Sequence, residues 1–290
     1  MNLPAFKLEQ GRAPFTLAAL HKGFMHFHFD LTAVQILWTL TFAALLVLLT
    51  VLFGRDRVRR FPWFTACIAF LALRLVAERL LYGHMAPIPM SVLFFALAYL
   101  ALVVNLLVLF EVARCAFKGA RRRTAAIATV LTIGISAAVV AIWGPWPAWK
   151  TVIASSELAH VRFMQMVSQK GDIFAAVLAI ELGTLVVFLG RRYQAGWRSH
   201  PQRVAIGLSA AAMSLIATRA TLQAIGTHAV IHSHAELNRL LALQARIADA
   251  NSAIYLAVII WWIAAFWIDE PTPSAGVDSA ARAEKLNVSA

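Results

Sequence analysis

Residues 31–60 read LTAVQILWTLTFAALLVLLTVLFGRDRVRR, and this stretch decides the fold. Its first part, 31–53, is an apolar run long enough to carry an α-helix through the ~30 Å hydrocarbon core of a membrane. Its last part places arginines directly after a glycine, as is typical where a helix ends at the water boundary. The stretch therefore predicts a membrane-spanning helix followed by a cytoplasmic loop.

The same alternation of apolar run and short polar loop continues along the whole chain. The apolar runs are 31–53, 63–83, 90–116, 124–143, 173–190, 204–225 and 252–268. Hydrophobic residues make up 61% of the chain and charged residues 14%, which is more apolar surface than a soluble domain could bury. The runs are too long and too continuously apolar for barrel strands, and backbone groups in lipid must be paired internally. The predicted fold class is an all-α, polytopic bundle of seven transmembrane helices.

The charge distribution predicts how this bundle is oriented. The net charge is +12, and most of the excess lies in or beside three short loops, at Arg55, Arg57, Arg59, Arg60, Arg114, Lys118, Arg121, Arg122, Arg123, Arg191, Arg192, Arg198 and Arg203. By the positive-inside rule these loops are cytoplasmic, so the charge indicates topology and no nucleic-acid partner is expected. The predicted division of the chain is an extracytoplasmic tail at 1–30, a transmembrane domain at 31–269 and a disordered cytoplasmic tail at 270–290.

Several ionisable residues fall inside the apolar runs, where each charge needs a partner or a wet cavity. Arg74 and Glu78 are one turn apart on the second run and can pair on one face. Glu181 lies midway along the fifth run, and Arg219 and Gln223 lie in the outer half of the sixth. We expect Arg74, Glu78, Glu181 and Arg219 to meet as a buried cluster, either as a structural clasp between helices or as a ligand site.

The histidines of the predicted outer side suggest an alternative, a metal site. His228 and His232 are at i and i+4, and His160 follows Ser156 at the same spacing in another outer connection. Ser156, His160, Asp172, His228 and His232 stand in an order that resembles the seven-helix zinc hydrolases that include alkaline ceramidases. The resemblance implies zinc on three histidines and a metal-bound water attacking an amide. The chain departs from that family in carrying the first motif late, and no other cofactor is predicted.

Residues 234–249 carry leucines and an isoleucine on one helical stripe, and 152–168 has a similar character. Two interpretations are open, namely amphipathic segments that cap the bundle and extensions of the helices above the lipid.

Short motifs spread from the first run to the seventh resemble a group of uncharacterised bacterial seven-helix membrane proteins. They are RRFPWF at 59–64, ALR at 72–74, VLFE at 108–111, HVR at 160–162 with Gln165, WRS at 197–199 and YLAVIIW at 255–261. The resemblance implies a bacterial cytoplasmic membrane and marks Arg74, Glu111, Arg162 and Gln165 for attention. It implies no particular activity and does not include His228 or His232.

The function favoured by the sequence is a receptor-like or ligand-binding bundle rather than an enzyme. Membrane lipids surround it, a small molecule or lipid is its ligand, and any protein partner is unknown. A ligand-binding bundle predicts an apolar cavity in the outer half with Arg74, Glu78, Arg219 and Gln223 as its polar groups. A transporter is a further alternative, but no run has the paired Gly or Pro interruption that broken helices need.

Overall fold

The computed structural model of the chain describes residues 32–81, 84, 86–118, 121–144, 146, 157–189, 199–228 and 233–269. These ranges contain seven α-helices and no strand, which confirms the all-α class. The helices are α1 (Ala33–Gly54), α2 (Pro62–Leu81), α3 (Pro87–Ala116), α4 (Arg122–Ile142), α5 (Glu157–Leu189), α6 (His200–His228) and α7 (His234–Trp267). Both predicted tails, 1–30 and 270–290, lie outside the described residues.

Six of these helices, all except α2, are long and apolar enough to cross a membrane. Helix α2 has 20 residues, which is long enough to span. It is excluded by its composition, because it carries Arg74, Glu78 and Arg79 in its second half. It is nevertheless part of the bundle, since its Phe64, Ile68 and Ala72 are buried in the common core. The described chain is thus a helical bundle of multi-pass membrane type.

Two helices begin well before the apolar runs that predicted them. The run starting at 173 belongs to α5, which begins at Glu157, and the run starting at 252 belongs to α7, which begins at His234. The described parts of the two amphipathic segments, 157–168 and 234–249, therefore extend the helices and do not form separate capping segments. The physical reason is that the apolar stripe of 234–249 continues, at the same helical period, the stripe that faces the bundle.

Six helices form a ring in the order α1, α2, α3, α5, α6, α7, with α7 returning to α1. Helices α3 and α6 also meet across the ring, and α4 packs on its outside against α5. The core follows the ring and includes Leu45, Leu48, Val112, Val186 and Ile259, each no more than 5% exposed. Because α4 stands outside the ring, its apolar side chains, such as Val130 and Ile142, are left exposed at the lipid-facing surface.

Two glycines allow α6 to lie very close to its neighbours. A methyl group at Gly207 would overlap the indole of Trp262 on α7, and one at Gly183 on α5 would overlap Ser209 on α6. Ser209 uses this closeness to reach Ala179 O on α5, 2.7 Å away. Small residues at helix contacts are a common device in membrane bundles, where close packing replaces the hydrophobic effect.

One end of the bundle, where α1, α3 and α7 end and α2 begins, carries the arginines of the α1–α2 loop at 55, 57, 59 and 60, and is called the arginine-rich end below. Asp269, just after α7, accepts from Arg57 at 2.7 Å and from Arg55 at 3.2 Å. Arg203 on α6 donates to Ala265 O near the end of α7, at 2.9 Å. These contacts tie the last turn of α7 to the α1–α2 loop and to α6, and so hold the ring closed at this end.

Candidate functional site

Arg74 and Glu78 form an ion pair on one face of α2. Arg74 Nε lies 2.6 Å from Glu78 Oε1, at the i, i+4 spacing that makes side chains neighbours on a helix. The side chains are 29% and 26% exposed, so the pair is partly desolvated. The pairing expected from the spacing is present, and each charge has the partner that this depth requires.

Asp172 on α5 connects this pair to a second arginine. Arg219 Nη2 on α6 lies 3.4 Å from Asp172 Oδ2, and the positive charge of Arg74 also acts on the Asp172 carboxylate. Two arginines and two acids from three helices, Arg74, Glu78, Asp172 and Arg219, thus form one group without net charge. This group is called the charge cluster below.

The structure gives the α5 place in this cluster to Asp172 rather than to Glu181. Glu181 lies nine residues further along α5, or about 13 Å at 1.5 Å per residue. There its Oε2 accepts a hydrogen bond of 3.3 Å from Ser136 Oγ on α4, and Ser136 is fully buried. Glu181 is therefore a contact between α5 and the peripheral helix α4, and the four-residue cluster expected from the sequence needs this correction.

A cavity of about 280 Å³ lies between α2, α3, α5, α6 and α7. Its walls are mainly apolar, with Phe64, Ile68, Leu71, Leu208, Leu215 and Trp262 among the lining side chains. Alanines at 175, 176 and 179 on α5 and at 211 and 212 on α6 also line it, and their small side chains leave the space open. Phe64 and Trp262 meet edge to face, with ring centres 5.1 Å apart, at the part of the lining nearest the arginine-rich end.

A few polar groups interrupt the apolar walls. They are Asp172 of the charge cluster, Asn105 on α3, Ser214 on α6, and Asn251 and Tyr255 on α7. Ser214 Oγ donates to Asn251 Oδ1 at 2.8 Å, which joins α6 to α7 at this level. The cavity therefore has a polar part beside the charge cluster and an apolar part that ends at Phe64 and Trp262, a combination typical of sites for small amphipathic molecules.

The polar residues predicted for the cavity are not the ones that line it. Arg74, Glu78, Arg219 and Gln223 are absent from its lining. Gln223 lies instead beside Gly144, just after α4. The charge cluster thus borders the cavity through Asp172 and does not form its walls.

Glu111 on α3 has a structural position that the sequence did not indicate. Its two carboxylate oxygens accept the backbone N–H groups of Trp63 at 3.1 Å and Phe64 at 2.9 Å, and the residue is only 7% exposed. These N–H groups belong to the first turn of α2, which has no partners for them within its own helix. Glu111, which the sequence resemblance marked for attention, therefore caps α2 from a neighbouring helix.

Lys170 on α5 caps the opposite kind of helix end. Its ammonium donates to Val140 O at 3.2 Å, Gly144 O at 3.3 Å and Trp143 O, all at the C-terminus of α4. The Trp146 ring centre lies 4.6 Å from the same nitrogen. A cation here meets the negative end of the helix dipole and carbonyls that have no helical partner. Lys170 is thus a buried contact between α4 and α5.

Two further predicted positions lie away from the cavity. Arg162 and Gln165 are exposed on the first part of α5. Their backbone neighbour Met164 accepts a hydrogen bond of 2.8 Å from the Tyr99 hydroxyl, so this part of α5 packs against α3. The side chains of Arg162 and Gln165 therefore face away from the helix contacts of the bundle.

The histidine site stays a prediction. His160 is exposed on α5, but Ser156, His232 and the side chain of His228 lie outside the described residues. Among the side chains that are described, no group of three or more His, Cys, Asp or Glu residues could hold a metal ion. Asp172, which the hydrolase resemblance assigned to proton movement near zinc, contacts Arg219 instead.

Comparison with known proteins gives no further assignment, since no family model, no curated protein and no solved structure matches the chain.

Proposed function

We propose that this chain is a seven-helix membrane protein that binds a small amphipathic molecule in the cavity between α2, α3, α5, α6 and α7. The observation that carries the proposal is the cavity itself, which combines about 280 Å³ of mainly apolar space with a few polar side chains at one part of its wall. Sites for small molecules have this composition, and hydrophobic walls supply affinity while the polar groups fix orientation.

Topology forms part of the proposal. With α2 counted as a seventh span, the arginine loops lie at one end, which the positive-inside rule makes cytoplasmic, with the N-terminus outside and the C-terminus inside. Supporting this, Lys170 is buried against α4 and so is not a loop charge on the opposite side. A bacterial cytoplasmic membrane is the location that the sequence resemblance implies.

Two features favour binding over catalysis and transport, namely the pairing of the charges in the cluster and the continuity of the helices. The charges of the cluster are paired with one another, which is the arrangement of a structural clasp beside a cavity rather than of reacting groups. Each of the described helices α5, α6 and α7 runs unbroken through its apolar stretch, whereas transporters commonly place substrate at broken helices. The zinc hydrolase remains an alternative that metal analysis of the purified protein would test.

Native mass spectrometry of protein released from its own membrane tests the proposal. We expect wild type to carry an additional small-molecule mass, and Ala176→Leu and Ala211→Leu, which fill the cavity from α5 and α6, to lose it. Ala137→Leu on the exposed face of α4 is the matched control and should keep the mass. An adduct carried equally by all four proteins would mean binding at the lipid-facing surface, and no adduct in wild type would contradict the proposal.

A further inference from the structure

We propose that the molecule held in the cavity is an uncharged amphiphile whose head group carries an oxygen that accepts hydrogen bonds, such as a medium-chain alcohol, ketone or ester. This inference rests on the proposed function and specifies the ligand class for the same site.

The fixed charges near the cavity are already matched. Arg74 is paired with Glu78 at 2.6 Å and Arg219 with Asp172 at 3.4 Å, so the cluster has no net charge to offer a ligand. Of these four residues, only Asp172 reaches the cavity wall. A carboxylate or ammonium ligand would therefore bring an unmatched charge against mainly apolar walls, which is unfavourable.

The uncharged polar groups of the wall include several free hydrogen-bond donors. Asn251 uses its Oδ1 to accept from Ser214 at 2.8 Å, which leaves its amide nitrogen with two N–H donors. The carboxamide of Asn105 and the hydroxyl of Tyr255 line the same wall and make no hydrogen bond with another residue in the described ranges. These side chains can donate to one oxygen of a ligand, so an acceptor oxygen is the head group that satisfies them.

The dimensions favour a short chain below that head group. On α7 the lining extends from Asn251 to Trp262, or about 16 Å of helix at 1.5 Å per residue. A volume near 280 Å³ holds about ten heavy atoms at roughly 25–30 Å³ each. The apolar end would then contact Phe64 and Trp262, whose rings form the far wall.

Competition photolabelling in phosphatidylcholine nanodiscs tests the inference. A decanol analogue with a diazirine in its chain is crosslinked by light, and the labelled residues are located by peptide mass spectrometry. Competitors are 1-decanol, decanoic acid and decylamine at equal mole fraction in the membrane. We expect 1-decanol to reduce labelling of cavity residues at least fivefold more effectively than the acid or the amine.

Variants of the wall sharpen the test. Asn105→Leu and Tyr255→Phe should each weaken competition by 1-decanol severalfold, whereas Thr184→Val, which removes a hydroxyl from an exposed position on α5, should not. Tyr255→Phe is the conservative variant and is decisive if Asn105→Leu does not fold.

The possible failures are distinguishable. If the acid or the amine competes as well as the alcohol, or if both wall variants behave as wild type, the ligand class is wrong while the cavity remains a binding site. If cavity residues are not labelled, or are labelled equally in Ala176→Leu, the proposed function itself fails.

Discussion

Replacing Glu111 should destabilise the bundle through α2, although Glu111 belongs to α3. The carboxylate accepts two backbone N–H groups of the first turn of α2, and the residue that leads into that helix, Phe61, has no side-chain acceptor. Pro62 has no N–H, so Trp63 and Phe64 are the first residues that need a cap. Glu111, on a neighbouring helix, therefore accepts the hydrogen bonds that an N-cap side chain usually accepts.

The size of the expected loss of stability follows from how exposed Trp63 and Phe64, which carry the two N–H groups, are. Phe64 is 1% exposed, so its N–H would lose its partner without gaining water, at about 1–3 kcal/mol. Trp63 is 45% exposed, and its N–H can be rehydrated at a smaller cost. With lost packing around the Glu111 side chain, Glu111→Ala should destabilise by about 2–4 kcal/mol, and Glu111→Gln, which keeps one acceptor oxygen, by about 1–2 kcal/mol.

Equilibrium unfolding by sodium dodecyl sulfate in mixed micelles, followed by far-UV circular dichroism, measures these losses. Asp56→Asn is the control matched to Glu111→Gln, since it also replaces an acid by its amide, at an exposed position near the same end of the bundle; it should stay within about 0.5 kcal/mol of wild type. Hydrogen exchange at Trp63 and Phe64 should rise in Glu111→Ala. Unfolding of Glu111→Ala indistinguishable from that of Asp56→Asn would refute the capping argument.

Three other predictions concern the charges and the topology. Arg74→Ala should destabilise the protein by about 2–3 kcal/mol, which is less than for a fully buried pair because this ion pair is about a quarter exposed. The double variant Arg74→Ala/Glu78→Ala should recover part of that loss. Strictly additive losses in the same unfolding assay would show that the two charges do not interact. Lys170→Met should speed hydrogen exchange at the end of α4 while leaving α1 unchanged, and unchanged exchange there would remove its capping role. Cysteines introduced at 55–60 should resist an impermeant reagent added outside whereas those at 84–89 should react, and the reverse pattern would invert the topology.

The α-helical class and the Arg74–Glu78 pair could be predicted from sequence because both are local. Lipid forces helices on any long apolar run, and i, i+4 spacing makes neighbours of two side chains whatever surrounds the helix. The same locality explains why the amphipathic stripe before α7 indicated a helix without indicating how it joins the bundle.

The cavity residues were missed for a definite physical reason. Asp172 and Asn251 each stand one position before a predicted apolar run, starting at 173 and 252, so the predicted spans do not include them. Both helices in fact begin earlier, at Glu157 and His234, which brings these two polar residues inside the bundle. Hydropathy marks where a helix becomes apolar, not where it starts. The spacing of Asn251, Tyr255, Val258 and Trp262 on one stripe was the available signal.

The capping of α2 by Glu111 and of α4 by Lys170 could not be predicted from the sequence. Glu111 and Lys170 act on helix ends that are close only after the ring has assembled, with α3 beside α2 and α5 beside α4. A single sequence gives each helix its faces but not its neighbours. A charge near the end of an apolar run therefore predicts a place at the membrane surface, which is the commoner one.

The central claim, that the cavity holds an amphipathic molecule, is tested most directly by a density map of wild-type protein prepared in lipid nanodiscs without added ligand. The account predicts a continuous, elongated density that begins beside Asn105 and Asn251 and ends at Phe64 and Trp262, and that is missing from a map of Ala176→Leu. A wild-type map in which the cavity is filled by rearranged side chains, or contains only isolated water positions, would contradict it.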